Sequence, residues 1–180
     1  MGQKSILIVG AGAVGQVYAR HLLDGGANVS FLVRAKYREE LEKGYRLYPL
    51  NEAQTPNAEL CIRNFGLLTT DDDIEATAWD QVWLCVSSAA LRESWFPKLL
   101  ARVGDATIVA LQPGLEERDF FVSMISEQRL VHGIISFISY PAPLPDKYDS
   151  CVGIQVKGTA YWLPPFSKMF FSGNSSRRDE

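Results

Sequence analysis

The sequence predicts an α/β fold in which helices cover both faces of a mostly parallel sheet. Apolar runs of strand length alternate with helix-length segments along most of the 180 residues, which is the pattern of a doubly wound sheet. The first run, 5–9, is almost entirely aliphatic, as expected for a strand that is buried on both sides. A glycine-rich turn and an amphipathic segment follow it directly. These three observations define the fold class.

The first half of the chain is predicted to form two strands and one helix before it leaves the main sheet. The helix covers 13–24, where apolar residues recur at helical spacing, and the glycines at 25–26 can end it. The second strand covers 28–33. Two extended segments, 44–50 and 58–68, are expected to pair as an antiparallel excursion around a turn-rich connection.

The second half is predicted to resume the alternation of strands and helices. The predicted elements are the strands 81–86, 106–111 and 130–139 and the helices 89–103 and 115–128. Pro97 is expected to break or restart the helix in which it lies. After a loop marked by prolines at 141–145, the segment 151–163 alternates like a β-hairpin around Gly158.

Composition and charge exclude several classes of function. The net charge of −3 argues against a nucleic-acid partner, and no stretch reaches the roughly 18 apolar residues of a membrane span. The three cysteines, Cys61, Cys85 and Cys151, are far apart and odd in number, so neither a disulfide framework nor a metal site is expected. The acidic run 71–73 is expected to begin a helix rather than bind a metal. We therefore expect a cytoplasmic protein.

A complete G-x-G-x-x-G motif lies between the first strand and the first helix. Its residues are Gly10, Ala11, Gly12, Ala13, Val14 and Gly15. In this context Gly10 permits a tight turn, Gly12 leaves room for a pyrophosphate, and Gly15 lets helix and strand pack closely. The N–H groups and the dipole of the helix start would face the diphosphate. The motif predicts a Rossmann-type dinucleotide-binding domain, and a glycine-rich turn without a ligand is the alternative.

The end of the second strand distinguishes between the two nicotinamide cofactors. Enzymes that use NAD usually place Asp or Glu about 20 residues after the glycines, where it accepts hydrogen bonds from the ribose 2′-hydroxyl. This chain has Arg34 there, followed by Lys36 and Arg38. A guanidinium can bind a 2′-phosphate with two hydrogen bonds. We therefore predict NADP as the cofactor, with a solvated basic turn as the alternative.

These features together resemble the ketopantoate reductase family. The resemblance is carried by the glycine motif with Arg34, by Val-Ser-Ser at 86–88 after a strand, and by Leu-Gln-Pro-Gly at 111–114. It extends over about 4–171. Enzymes of this family use NADPH to reduce the ketone of 2-dehydropantoate, on the route to pantothenate, and the resemblance implies the same reaction class here.

The resemblance also implies where the cofactor binds. The implied contacts are the diphosphate at 10–15, the 2′-phosphate at Arg34 with Lys36 beside it, and further cofactor contacts at Ser88, Gln112, Pro113, Gly114 and 136–138. All lie near the carboxyl ends of predicted strands, where open α/β sheets bind their ligands. Two positions differ from the family pattern, which has lysine in place of Ser88 and Asn-Gly in place of Pro113-Gly114.

We expect residues 1–171 to form the dinucleotide-binding domain with a late β extension, and 172–180 to form a disordered tail. The second, helical domain of the family, which supplies the lysine that acts as general acid, is expected to be absent, so no catalytic residue is assigned. The leading hypothesis is an NADP-dependent reductase of a 2-keto acid, present as its cofactor domain; whether it forms a homodimer is left open. The alternatives are a non-catalytic NADP-binding module, a truncated pseudoenzyme and another Rossmann dehydrogenase.

Overall fold

Strands and helices alternate along most of the chain, as the apolar pattern predicts. The computed structural model describes residues 2–51, 59–145, 154–166 and 168–173. The strands in these ranges are β1 (Ser5–Val9), β2 (Asn28–Leu32), β3 (Tyr45–Pro49), β4 (Leu60–Ile62), β5 (Gly66–Leu68), β6 (Gln81–Leu84), β7 (Thr107–Ala110), β8 (Leu130–Gly133), β9 (Ile138–Ala142), β10 (Gly158–Trp162) and β11 (Phe171–Gly173). The helices are α1 (Ala13–Asp24), α2 (Arg38–Glu42), α3 (Asp71–Glu75), α4 (Ser88–Leu91), α5 (Trp95–Arg102) and α6 (Leu115–Val122), with short 3₁₀ turns at Ala35–Tyr37 and Glu127–Arg129.

The main sheet has the strand order β11-β8-β7-β6-β1-β2-β5. The strands from β5 to β8 are parallel to their neighbours, and β11 is antiparallel to β8. The chain proceeds from β1 through β2 to β5 at one edge, then returns to β6 beside β1 and proceeds to β8. This is the doubly wound order of the Rossmann fold. The order reverses between β1 and β6, and open α/β sheets bind their ligands beyond the carboxyl ends of the strands at such a reversal.

The main sheet is buried on both faces, which explains the aliphatic run in β1. Successive side chains of a strand point to opposite faces. Ile8 therefore packs in the core cluster beneath α1, together with Tyr18. Leu7 packs in the opposite cluster, with Phe96 of α5 and Phe121 of α6. Each of these five side chains is at most 1% exposed, so α1 is fixed against the sheet through a fully buried contact.

A second sheet, in the order β4-β3-β10-β9, contacts α1. Its β3 and β4 are antiparallel, which confirms the predicted excursion. The predicted segment 58–68, however, divides between the two sheets, because β4 stays with β3 whereas β5 returns to the main sheet beside β2. Both halves carry apolar residues that suit a strand, so local pattern alone does not reveal the division.

The strand predicted over 130–139 is in fact two strands. The parallel neighbour of β8 is β7, which ends at Ala110 opposite His132. Because β7 ends there, β8 loses its parallel partner and ends at Gly133. The chain then crosses to the second sheet and begins β9. Pro141, predicted to lie in a loop, is part of β9. Because β9 is an edge strand, it tolerates a proline, which has no backbone N–H to donate.

The hairpin predicted around Gly158 is wrong. Gly158 is the first residue of β10, which pairs with β9 and β3. A Cβ at this glycine would lie 2.6 Å from the Tyr48 side chain, so close packing rather than a turn requires glycine here. Part of the predicted hairpin, 151–153, lies outside the described residues. Of the predicted tail, 172 and 173 belong to β11, and 174–180 lie outside the described residues.

The helices of the second half are shorter than predicted. The predicted 89–103 helix is divided into α4 and α5. Pro97 lies in the first turn of α5, where a backbone N–H has no intrahelical acceptor. The predicted 115–128 helix ends at Val122. The next residue, Ser123, donates a hydrogen bond from its hydroxyl to a preceding helix carbonyl at 2.7 Å, an interaction that competes with continuation of the helix.

The acidic run begins α3, as predicted. Thr70 and Asp73 form a capping box, in which each side chain accepts a hydrogen bond from the backbone N–H of the other. In the part of the chain that the structure describes, no group of three or more His, Cys, Asp or Glu side chains could hold a metal ion. No helix among these residues is long and apolar enough to cross a membrane.

His132 is expected to make the stability of the fold depend on pH. Its ring packs against Phe121, with ring centroids 6.2 Å apart, and its buried Nε2 has no hydrogen-bond partner among the described residues. Burial and the nearby Arg118 lower the pKa of His132, against a smaller opposing effect of Glu127. Below the unfolded pKa of about 6.5 the unfolded chain therefore binds a proton more readily than the folded chain, and stability falls as the pH falls.

We expect the free energy of unfolding to decrease by at most about 1.4 kcal/mol per pH unit below about pH 6.5 because of this one proton. Urea unfolding between about pH 7.5 and about pH 5.5 measures the slope, and His132→Phe should reduce it. An unchanged slope in this variant would mean that other groups cause the dependence.

Candidate dinucleotide-binding site

The glycine motif forms the turn between β1 and α1, where the strand order reverses. Gly10 has a φ of 96°, and a Cβ on it would lie 2.8 Å from the carbonyl oxygen of Cys85. A Cβ on Gly15 would lie 2.1 Å from the carbonyl oxygen of Gly10. Gly12 is exposed and has open space where its Cβ would lie. The chain's own packing thus requires the two outer glycines, whereas the middle glycine leaves an open approach to the backbone.

The first turn of α1 has backbone donors directed to this open space. Gly12 is the N-cap residue, no side chain caps the helix, and its first turn contains no acidic residue. The first intrahelical hydrogen bond joins the N–H of Gln16 to the carbonyl of Gly12 at 2.9 Å. The N–H groups of Ala13 and Val14 therefore have no intrahelical acceptor. Together with the helix dipole they favour an anion at this end.

Two side chains from the second sheet hold the helix and the turn together. Gln16 donates from Nε2 to the carbonyl oxygen of Ala11 at 2.9 Å. The Thr159 hydroxyl donates to Oε1 of Gln16 at 2.7 Å, and the Tyr45 hydroxyl donates to the Gln16 backbone carbonyl at 3.1 Å. No local motif links Gln16 to Thr159, which is 143 residues away, or to Tyr45, so none of these contacts was predicted from the sequence.

Two cations lie over one aromatic ring at the end of β2. The guanidinium carbon of Arg34 is 5.8 Å, and the Nζ of Lys36 is 4.9 Å, from the centroid of the Tyr37 ring. All three residues are exposed, and neither cation forms an ion pair within the described residues. Arg38, by contrast, is paired with Glu42 at 2.8 Å. Tyr37 was missed at the sequence level, although it lies within the basic segment.

The remaining predicted contacts lie at the ends of β6, β7 and β8. Ser88 is half-buried at the first turn of α4, and Pro113 is exposed after β7. Gln112 is buried, and its Nε2 donates to the carbonyl oxygens of Leu84 at 2.9 Å and Val86 at 2.7 Å. Its side chain therefore holds the ends of β6 and β7 together, and a cofactor contact at this position would have to come from the backbone.

Two other polar groups lie at this end of the sheet. The segment 136–138 follows β8, and the buried hydroxyl of Ser136 has no hydrogen-bond partner among the described residues. Cys85 follows β6 and lies against Gly15, whose Cβ would be 3.3 Å from its own. Burial raises the pKa of the Cys85 thiol. The thiol therefore stays neutral near pH 7, which is typical of a packing cysteine rather than a nucleophile.

Comparison with protein families identifies a match over most of the chain. The family model described as ketopantoate reductase PanE/ApbA matches residues 6–141. This segment contains the glycine turn, the end of β2 and the ends of β6, β7 and β8. A comparison with curated protein sequences gave no match.

Solved structures share the fold at low sequence identity. The 2-dehydropantoate 2-reductase from Geobacter metallireducens has a TM-score of 0.67 and 18% identity, over 94% of this chain and 49% of that one. The corresponding enzyme from Methylococcus capsulatus has a TM-score of 0.62 and 18% identity, over 94% and 48%. D-mandelate dehydrogenase with NADH and anilino(oxo)acetate has a TM-score of 0.63 and 15% identity, over 97% and 51%. The chain spans about half the length of these proteins.

The strand order, the glycine turn and the family comparison all agree with the resemblance found in the sequence. The family match covers about three quarters of the chain, from the first strand into β9. The chain therefore belongs to the ketopantoate reductase PanE/ApbA family.

Proposed function

We propose that this chain is the NADP-binding part of an oxidoreductase that reduces a 2-keto acid, such as 2-dehydropantoate, to the 2-hydroxy acid. The observation that carries the proposal is the pair of cations, Arg34 and Lys36, that lie over Tyr37 at the end of β2. They follow a glycine turn whose N–H groups and open space suit a diphosphate.

Each part of the site has a distinct role in this proposal. The turn at Gly12 and the N–H of Ala13 bind the diphosphate. The guanidinium of Arg34 binds the 2′-phosphate with two hydrogen bonds, and Lys36 adds a second positive charge. When bound, NADPH supplies the hydride for the ketone, while the protein binds and orients it. The residue that protonates the resulting alkoxide is not assigned.

The charge at the end of β2 is the basis for preferring NADP. D-mandelate dehydrogenase, which shares the fold, is described with NADH, so the fold by itself does not select between the two cofactors. A 2′-phosphate carries a charge that a ribose 2′-hydroxyl lacks. Arg34 and Lys36, which form no ion pair with the residues that the structure describes, therefore favour NADPH through an interaction that NADH cannot make.

A second candidate function is a non-catalytic NADP-binding module or a truncated pseudoenzyme. Ser88 and Pro113 favour it, because they replace the lysine and the asparagine that the family pattern has at these positions. Serine carries no charge, and proline has neither an amide side chain nor a backbone N–H. Consumption of NADPH with 2-dehydropantoate, or with another 2-keto acid of a panel, by a full-length version of the enzyme would support the reductase. Selective NADPH binding by the chain, without turnover of any of them by the full-length version, would favour the module.

Assembly and location stay predictions. We expect a cytoplasmic protein with a small-molecule substrate and no nucleic-acid partner. Whether the chain forms a homodimer is open. Sedimentation equilibrium distinguishes the 20.1 kDa chain from its dimer, and fractionation of cells tests the location.

A further inference from the structure

We infer that Gln16 is a positioning residue, which the second sheet holds in place so that the Gly12 N–H faces a bound diphosphate. The inference rests on the proposed function for the identity of the ligand. It depends on three hydrogen bonds of the structure that none of the sequence motifs accounts for. It assigns the second sheet a role in cofactor binding, although this sheet contributes no residue to the glycine motif.

The first step is the orientation of one peptide group. The carbonyl oxygen of Ala11 accepts a hydrogen bond from Gln16 Nε2 at 2.9 Å. This carbonyl shares a planar trans peptide with the N–H of Gly12, and the two bonds of such a peptide point in opposite directions. With the carbonyl held on the Gln16 side, the Gly12 N–H points away from Gln16. That N–H has no hydrogen-bond partner among the described residues.

The second step is the orientation of the Gln16 amide. The Thr159 hydroxyl donates to Oε1 of Gln16 at 2.7 Å, which leaves Nε2 directed to Ala11. An amide turned the other way would bring two acceptor oxygens together, Oε1 and the Ala11 carbonyl oxygen. Thr159 is only 4% exposed, so water does not readily replace its hydroxyl. The buried threonine thereby fixes which end of the amide reaches the turn.

The third step is the anchoring of the backbone at the same residue. The Tyr45 hydroxyl donates to the Gln16 carbonyl at 3.1 Å. Tyr45 is on β3 and Thr159 is on β10, and these two strands pair directly. One rigid unit therefore holds both the side chain and the main chain of Gln16. A turn that is already in its binding conformation loses less conformational entropy when a ligand binds, so its affinity is higher.

The test compares three variants of the full chain with the unaltered chain. Gln16→Met removes the donor to Ala11, Thr159→Val removes the hydroxyl at similar volume, and Thr159→Ser keeps the hydroxyl as the matched control. The first readout is the ¹⁵N order parameter of the Gly12 N–H without ligand, and the second is the Kd for NADPH. Urea unfolding of each variant shows whether it is folded under the conditions of measurement.

We expect the Gly12 order parameter to fall from about 0.85 to below about 0.6 in Gln16→Met and Thr159→Val, and to be retained in Thr159→Ser. The Kd for NADPH should rise about tenfold in Gln16→Met and about fivefold in Thr159→Val, in line with one net hydrogen bond. If Gln16 had a purely structural role, the substitutions would lower the unfolding midpoint and leave the order parameter and the Kd unchanged. That result would overturn the inference.

The measurements distinguish a failure of the proposed function from a failure of the role of Gln16. If the unaltered chain does not bind NADPH, the proposed function fails, and the order parameter alone decides whether Gln16 fixes the turn. If the unaltered chain binds NADPH but both variants bind it equally well, the inference fails and the proposed function stands. If Thr159→Val does not fold, Gln16→Met decides the outcome, because Gln16 is only half-buried.

Discussion

Reversing the charge at Arg34 is expected to weaken NADPH binding by about a hundredfold or more, which is about 2.7 kcal/mol. In the proposed complex, Arg34→Glu would remove two charge-assisted hydrogen bonds to the 2′-phosphate, each of which contributes about 1.5–3 kcal/mol, and it would add a repulsive charge. Binding of NADH should be unchanged or stronger, because a carboxylate at this position can accept hydrogen bonds from the ribose 2′-hydroxyl. Calorimetric titration with each cofactor measures the change.

The control for this experiment is a second arginine in the same segment. Arg38 is paired with Glu42 and also donates to the Thr69 hydroxyl at 3.3 Å, so it is less available to a ligand than Arg34. Arg38→Ala should change the Kd for NADPH by less than about threefold, as for an exposed ion pair. Equal losses of NADPH and NADH affinity in Arg34→Glu, or a comparable loss in Arg38→Ala, would contradict a specific 2′-phosphate contact at Arg34.

A methyl group at Gly15 is expected to lower the free energy of unfolding by about 3 kcal/mol or more. In Gly15→Ala the new Cβ would lie 2.1 Å from the Gly10 carbonyl oxygen, and a backbone atom cannot rotate away as a flexible side chain can. Helix α1 must therefore move away from the glycine turn. Because this movement disrupts the turn, NADPH binding should also be lost. Urea unfolding and calorimetry measure the two effects on the same sample.

Gly12→Ala separates ligand binding from stability in the same turn. No atom lies within 4 Å of the position of its new Cβ, and its φ of −76° suits any residue. We expect the free energy of unfolding to change by less than about 1 kcal/mol, as for a substitution at an N-cap. NADPH affinity should nevertheless fall at least about tenfold, because the methyl group occupies the approach of the diphosphate. Unchanged affinity would show that the ligand does not approach the backbone there.

The parts of the fold that local chemistry determines were predictable from the sequence. The bounds of β1 and α1 agree with the prediction, because an aliphatic run, a glycine turn and the terminal glycines at 25–26 define both ends of each element. The divisions of 58–68 and of 130–139 were not predictable. A strand in either sheet has the same alternation of side chains, and the choice of sheet depends on partners that are distant in sequence.

The candidate site divides in a similar way. The glycine turn and the basic end of β2 are continuous segments whose chemistry is visible in the sequence. Gln112 was predicted as a cofactor contact, yet its side chain bridges two strand ends, a role that depends on the parallel pairing of β6 and β7. The contact between Gln16 and Thr159 requires the packing of the second sheet on α1, and no spacing rule in the sequence indicates it.

We propose that this chain binds a dinucleotide at the glycine turn and prefers NADP through Arg34. Calorimetric titration of the unaltered chain with NADPH and, separately, with NADH tests it most directly. We expect micromolar binding of NADPH and at least about tenfold weaker binding of NADH, a difference of about 1.4 kcal/mol. Equal affinity for the two cofactors would contradict the role of Arg34, and the absence of binding of either would contradict the site itself.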